Sequence, residues 1–556
     1  MNGAFEWFPV TVVGGFTLFI SIVKMAWVRK QDEATKSLFK WLFEPIMFGW
    51  LLAFYLTENP LLNFVLGYVI GVGILVAKDM IFEVKRPLPK AIVGTDILTE
   101  KQGVDWFKCD QELAKTCRAR IGKIPIPFAA ETMGFALMGA PGSGKSQALI
   151  QLADSARKRG YCAVVADLGA EYAEKFYRVD QDVILNPFDQ RSASWSPFAE
   201  MRSPMDAVAL SWSMVPEGFG NNKDWSFYAR TVLYVVLVRL FQLGKATNGE
   251  LCHYLLKASA AQTGELCKGT IASTYFEPAN EKMLGSIRTI LASNLQPYDQ
   301  LDPKVGCDGY SIKNFVNEHA DSWLFLTYRE DQLKALKPLL AAQMDIASSA
   351  LLSSKTQLDH RLWFFLDEVY SLGFVDSLVS LVSLGRKKGG CPVLGLQSIT
   401  QLQEVYGADR TETILNCLKN TLILFQGGNK NEDHMINLLG ERKFMETTHS
   451  VTTNSGSSKA GTSRTTTSQV KIENALIKGE LRNLNPCEGI LNLDGKIPPI
   501  RVTIPVSTRK SVVPNFMLVE QPGRLHIDRS IHDLPTDPPQ VPSTMVDPDA
   551  DEFGDV

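Results

Sequence analysis

One octapeptide constrains this 556-residue chain more than any other feature. Residues 139–146 read Gly139-Ala140-Pro141-Gly142-Ser143-Gly144-Lys145-Ser146, a G-x-x-x-x-G-K-S pattern. The apolar run GFALM precedes it at 134–138, and the helical-looking QALIQLADSARKRG follows it. A buried strand turning into a helix through a glycine-rich loop is the setting that pattern requires. Glycines let backbone N–H groups turn inward around phosphate oxygens, and the following helix N-terminus adds a favourable dipole. Lys145 is then placed to reach the β- and γ-phosphates, and Ser146 to offer its hydroxyl to Mg2+. The expectation is a site for ATP and Mg2+ on an α/β sheet.

Further apolar runs supply that sheet. YCAVVA at 161–166 ends at Asp167, one βα unit after the loop, as a parallel sheet requires. WLFLT (323–327), LWFFL (362–366), VLGL (393–396) and LILF (422–425) each end in polar residues. Ligands of open α/β sheets bind at the carboxyl ends of strands. LWFFL closes on Asp367-Glu368, the Walker B pattern. There Asp367 holds Mg2+ through water and Glu368 polarises the attacking water as general base. An acidic helix cap after a core strand is the competing reading of this pair. Gln397 is placed to touch the γ-phosphate or its water. The turn Gly385-Arg386-Lys387-Lys388-Gly389-Gly390 offers Arg386 as an arginine finger toward a neighbouring subunit's nucleotide, with Arg329 second. The same turn also reads as Lys387 and Lys388 facing DNA phosphates, or as a solvated basic loop.

Between 206 and about 300 the strand pattern stops and helical periodicity takes over, as in WSFYARTVLYVVLVRLFQLG. This reads as an all-helical insertion, or alternatively as crossover helices of the main domain. Residues 452–468 (TTNSGSSKAGTSRTTTS) are nearly all small or hydroxylated and read as a flexible loop. Runs at 489–504 read as a terminal hairpin. Beyond Val506 proline rises. The stretch 531–556 carries Asp533, Asp537, Asp547, Asp549, Asp551, Glu552 and Asp555 with no Lys or Arg, a disordered acidic tail.

The first ninety residues read as a membrane anchor. Val10–Val28, Trp41–Thr57 and Leu61–Ala77 are apolar stretches with at most one charge each. Seventeen helical residues span roughly 26 Å, just short of the ~30 Å hydrocarbon core. Basic residues in the 29–40 loop and after residue 77 put both on the cytoplasmic side. Three spans satisfy this; a re-entrant hairpin at 41–77 would leave fewer. Either places the body in the cytoplasm. The domain reading is an anchor at 1–90, a nucleotide-binding domain at 91–205 and 301–505, a helical domain at 206–300, and a tail at 506–556. The net charge of −3 does not by itself imply nucleic acid. Nine scattered cysteines without a C-x-x-C pair read as reduced thiols, with no metal held by protein ligands alone.

The order of these features resembles the conjugative type IV coupling proteins, the TraD/TrwB family. The resemblance runs from about residue 130 to 505. Beyond the nucleotide motifs it includes Ile184-Leu-Asn-Pro-Phe-Asp189-Gln-Arg191, Trp195-Ser-Pro-Phe198, Thr327-Tyr-Arg-Glu-Asp331 and Gly395-Leu-Gln-Ser398. It implies a RecA-like P-loop domain with an inserted all-α domain and an N-terminal transmembrane helical anchor. It implies a homohexameric motor at the bacterial inner membrane that pumps single-stranded DNA with ATP. The implied partners are a relaxase, relaxosome accessory proteins and type IV secretion channel proteins. By matching motif, Lys145, Ser146, Asp367, Glu368, Arg386 and Gln397 take the family's roles. The short external turn and third apolar stretch depart from the family's two spans. A duplex DNA translocase of the FtsK kind, a receptor for protein effectors and an anchored scaffold remain alternatives at this level.

Overall fold

The computed structural model describes residues 93–519 except 95, 218–222, 319–320, 356–359, 426 and 455–460. The anchor at 1–90 and the acidic tail lie outside the described residues. Among the described residues no helix is long and apolar enough to cross a membrane. The chain divides into two compact units, residues 1–88 with 101–115, and 89–100 with 116–556. The described part of the first lies in helices Glu100–Cys109 and Gln111–Thr116, whose outer residues Glu100 and Thr116 belong to the second.

The second unit is built on a nine-stranded sheet. The strands of this unit, in chain order, are β1 Val93–Gly94, β2 Ala119–Ile121, β3 Ile124–Ile126, β4 Phe135–Met138, β5 Cys162–Leu168, β6 Val183–Leu185 and β7 Trp323–Tyr328. Then follow β8 Leu362–Leu366, β9 Gly390–Leu396, β10 Asn420–Leu424, β11 Glu441–Asn454, β12 Gly461–Asn474, β13 Glu488–Leu493 and β14 Ile497–Thr503. The sheet order is β14-β13-β10-β4-β9-β8-β5-β7-β6. From β10 to β6 every pairing is parallel, and the β13–β14 hairpin closes one edge antiparallel. Strands β4, β7, β8, β9 and β10 are buried at every position, which is why their sequences run apolar without alternation. Trp323, Phe325, Trp363 and Phe365 pack as a ladder of rings across β7 and β8.

Between β6 and β7 the described chain contains helices and turns with isolated β-bridges and no strand. The longest, Lys223–Gln242, buries Val232, Leu233, Val236, Leu237 and Leu240, the spacing of one apolar face. These side chains share one continuous core with the sheet. Two residues join the start and end of this segment. The Trp195 indole donates to Glu200 (2.9 Å), and the Glu200 carboxylate accepts the Ile312 and Lys313 N–H groups (2.7 and 3.0 Å) at the start of helix Ile312–Glu318. The Trp-Ser-Pro-Phe motif is thus a staple at the neck of the helical segment.

One expectation is corrected. Residues 452–468 are not simply a loop. Strands β11 and β12 pair antiparallel over fourteen residues each, from Glu441 opposite Asn474 to Asn454 opposite Gly461. β1 joins at Arg442 and Lys443 to make a three-stranded sheet. The stretch is rich in β-branched Thr, which suits a pleated ribbon although it supplies no apolar alternation.

Candidate nucleotide site

Strand register assembles the site. Met138 lies level with Leu396, and Leu366 with both Leu394 and Ala166. The residues that follow, Gly139, Gln397, Asp367 and Asp167, therefore emerge along one carboxyl edge. The Gly139 N–H donates to the Leu396 carbonyl (3.1 Å) and Ala140 N–H to that of Phe425 (3.0 Å), which pins the start of the loop to β9 and β10. The loop then turns through Gly144 at φ 101°, where a Cβ would stand 2.8 Å from Cys487 Sγ. Cys487 itself sits at φ 65°, and its N–H donates to the Ser143 carbonyl (2.9 Å). A non-glycine residue held there costs about 1–3 kcal/mol, so the P-loop is braced by a strained neighbour from the far end of the chain. Gly395 meets a second close approach: a Cβ would lie 1.9 Å from the Asp367 carbonyl oxygen.

Ala140–Gly142, Gly144–Ser146, Asp367, Glu368 and Gln397 line one cleft of about 600 Å³, within the size range of small-ligand sites. Gly139 and the buried Ser143 complete the loop. The Ser146 hydroxyl donates to Asp367 Oδ2 (2.8 Å), as does the Tyr172 hydroxyl (3.2 Å). Asp367 Oδ1 is buried without a hydrogen-bond partner. A buried anionic oxygen left unpaired is costly, and a hydroxyl beside it completes a hard oxygen donor pair that suits Mg2+. Gln397 Nε2 donates to Glu368 Oε1 (2.9 Å). Asn431 steadies that strand end by accepting from the Ile399 N–H (3.0 Å) and donating to the Gln397 carbonyl (3.4 Å).

Burial pulls the Lys145 ammonium below its ordinary pKa, and the Asp367 and Glu368 carboxylates push back. The Glu368 carboxyl is raised by burial, lowered by Lys145 and raised again by Asp367. Asp167, fully buried, accepts the Tyr172 and Ala173 N–H groups (3.1 and 2.7 Å) and so caps helix Glu171–Phe176, which carries Tyr172 into the cleft. Desolvation still pushes its carboxyl up to about 7.

Arg386 is not in this cleft. It is exposed on the turn Gly385–Lys388 that precedes β9. That is the amino edge of the sheet, about 20 Å from the Gln397 end at ~3.3 Å per residue. Arg329 forms a two-point pair with Asp331 (3.0 and 2.7 Å). Tyr172, Glu171 and Cys487 also line the cleft without a sequence motif that points to them, and Glu330 of the 327–331 motif lines it too. Tyr172, Glu171 and Cys487 come from a helix start or a turn, and Asp167 closing β5 is the local signal for the first two.

A family model described as the type IV secretion-system coupling protein DNA-binding domain matches residues 118–505. The coupling protein TraD of Escherichia coli (strain K12) is 25% identical over 403 residues, covering 72% of this chain. The chain spans 56% of that relative's length. Among solved structures, the plasmid coupling protein TrwB in complex with the non-hydrolysable ATP analogue ADPNP is 28% identical, with a TM-score of 0.68 over 78% of this chain and 99% of that one. TrwB in complex with ADP and Mg2+ matches with a TM-score of 0.67 and the same identity and coverage. The unbound bacterial conjugative coupling protein TrwBdeltaN70 matches at 28% identity and a TM-score of 0.67, over 78% of this chain and 98% of that one.

Proposed function

The chain belongs to the type IV secretion-system coupling protein family, and from that premise we propose that it is an inner-membrane motor. It binds ATP and Mg2+, couples the relaxase-bound DNA of a relaxosome to a type IV secretion channel, and pumps single-stranded DNA. The observation that carries this reading is the meeting of Ser146 and Glu368 with the orphaned Asp367 oxygen in one cleft.

The roles follow from the geometry. The N–H groups of Gly142, Gly144, Lys145 and Ser146, all lining the cleft, cradle phosphate, and the Lys145 ammonium, buried and poorly solvated, gains most from a phosphate charge. Mg2+, when bound, neutralises charge on the β- and γ-phosphate oxygens. Ser146 and Asp367 are the residues that would hold it. Glu368 takes up the proton of the attacking water. Gln397, bonded to Glu368, reports loss of the γ-phosphate to β9 and to the helix beyond it. Arg386, at the other edge of the sheet, serves a neighbouring subunit's cleft, which calls for a head-to-tail ring; six subunits follow the family resemblance. The helical segment 206–300 is the domain that engages DNA or relaxosome proteins, and residues 1–90 anchor the ring in the membrane.

The test is ATP turnover by the full-length protein in detergent, alone and with single-stranded or duplex DNA. Stimulation by single-stranded DNA that is lost in Lys145→Thr supports the motor. Preference for duplex would favour a duplex translocase, indifference to DNA would favour a receptor for protein cargo, and no turnover at all would leave an anchored scaffold.

A further inference from the structure

The chain does not leave the body after β14. Residues 504–519 run across the surface as an extended strap. At its start the Ile504 N–H donates to the carbonyl of Cys487, the residue that braces the P-loop (2.8 Å). The Ser507 N–H donates to Gln147 Oε1 (2.7 Å) on the P-loop helix, and Gln147 lines the cleft. Arg509 then reaches Asp154 (2.7 Å) on that helix and the Lys175 carbonyl (2.7 Å), with its guanidinium 4.3 Å over the Phe176 ring. The Val512 N–H donates to the Glu174 carbonyl (2.8 Å). Lys175, Phe176 and Glu174 all belong to the helix that presents Tyr172 to Asp367.

The far end of the strap is held by the Asn-Pro-Phe-Asp-Gln-Arg motif, which nucleotide chemistry does not use. Asp189 grips the Arg191 guanidinium at two points (2.9 and 2.7 Å). Arg191 then donates to the Pro514 and Asn515 carbonyls (2.8 Å each). The Gln190 N–H donates to the Met517 carbonyl (2.7 Å), and the Val519 N–H to that of Phe188 (3.2 Å). The motif is a receptor for the protein's own C-terminal segment.

Beyond Ile504, buried at its start, the strap is seated by polar contacts rather than apolar burial, with Val506 and Val512 67% and 57% exposed. Segments of that kind open locally at low cost. We propose that this strap is a conformational latch coupling the 186–191 motif to the nucleotide cleft: nucleotide binding tightens its seat, and seating strengthens nucleotide binding. The inference rests on the cleft being the nucleotide site. Beyond residue 519 the sequence continues into the acidic stretch, so a partner drawn to that stretch gains a route to the cleft.

Linkage makes the test reciprocal, because any factor by which the strap changes nucleotide affinity must appear in the strap when nucleotide binds. The measurement is hydrogen exchange of the full-length protein with and without saturating ADP and Mg2+, beside an ADP titration. The expected result is slower exchange at Met517 and Val519, remote from the cleft, and at least about 5-fold weaker ADP binding by Arg191→Ala, with the nucleotide-dependent protection reduced. Unchanged exchange at Met517 and Val519, or protection confined to Ser507 beside the cleft, would overturn the latch. So would an Arg191→Ala protein that binds ADP as the wild type does. Failure of the wild-type protein to bind ADP at all is read separately from the titration and would sink the nucleotide reading first.

Discussion

Asp367 and Glu368 are adjacent carboxylates with different work because their partners differ. Asp367 is engaged by two hydroxyls and leaves one buried oxygen unpaired, the oxygen proposed for Mg2+; Glu368 is engaged by an amide and faces Lys145. Replacing Lys145 with Thr removes the phosphate charge partner and should lower ATP turnover by at least about 100-fold, the usual scale for a lost preorganised donor. Glu368→Gln keeps the hydrogen-bonding shape but cannot take a proton. It should lose turnover on a similar scale while still binding ADP, which a titration beside the turnover assay would show. A base works only when ionised, and burial raises the Glu368 carboxyl. Wild-type turnover should therefore fall on acidification at a pH above the ordinary Glu value of 4.5. Gly395→Ala puts a methyl against the Asp367 backbone. It should cost about 1–3 kcal/mol in urea unfolding, as overpacking does, and reduce turnover by moving Asp367.

Among elements, the strands were the most legible, since five-residue apolar runs bounded by polar residues have few other uses. Pairing extended several of them: β9 begins at Gly390 rather than Val393, and β5 runs on to Leu168. β6 is only Val183–Leu185, too short to register as a run, and it became visible only through its pairing with β7. The β11–β12 ribbon was hidden because its hydroxylated residues carry no periodic signal, and its partner strand supplies the hydrogen bonds. Helix Glu171–Phe176 is the element whose stability should follow pH. Its cap, Asp167, has a folded-state carboxyl raised from 3.8 to about 7. Its stabilising contribution is then full below the unfolded value and is lost as pH rises through about 7. Against Asp167→Asn, the wild type should lose up to about 1.4 kcal/mol of relative stability per pH unit between roughly pH 4 and 7, measured by denaturant unfolding. A difference that stays flat over that window would contradict the raised carboxyl.

For the whole molecule, the telling distance is that between Arg386 and the cleft. A side chain at the amino edge of the sheet cannot reach a phosphate at the carboxyl edge of the same subunit. Arg386→Ala should lower turnover by about 1000-fold, as loss of an arginine finger does, and leave ADP binding intact. Mixing it with Lys145→Thr should recover part of the activity. In such a mixture some clefts combine an intact Lys145 with a neighbour's intact Arg386; recovery of none would count against a shared cleft. The sequence by itself determined the phosphate loop, the acidic strand end and the parallel sheet that carries them, because each is a local pattern that the backbone must obey within a few residues. Only the tertiary structure decided that Tyr172 and Cys487 join the cleft, that the motif at 186–191 grips residues 514–519, and that Arg386 faces away. These are pairings between residues far apart in the chain, and they are fixed by strand register and helix docking, which no local window of sequence encodes.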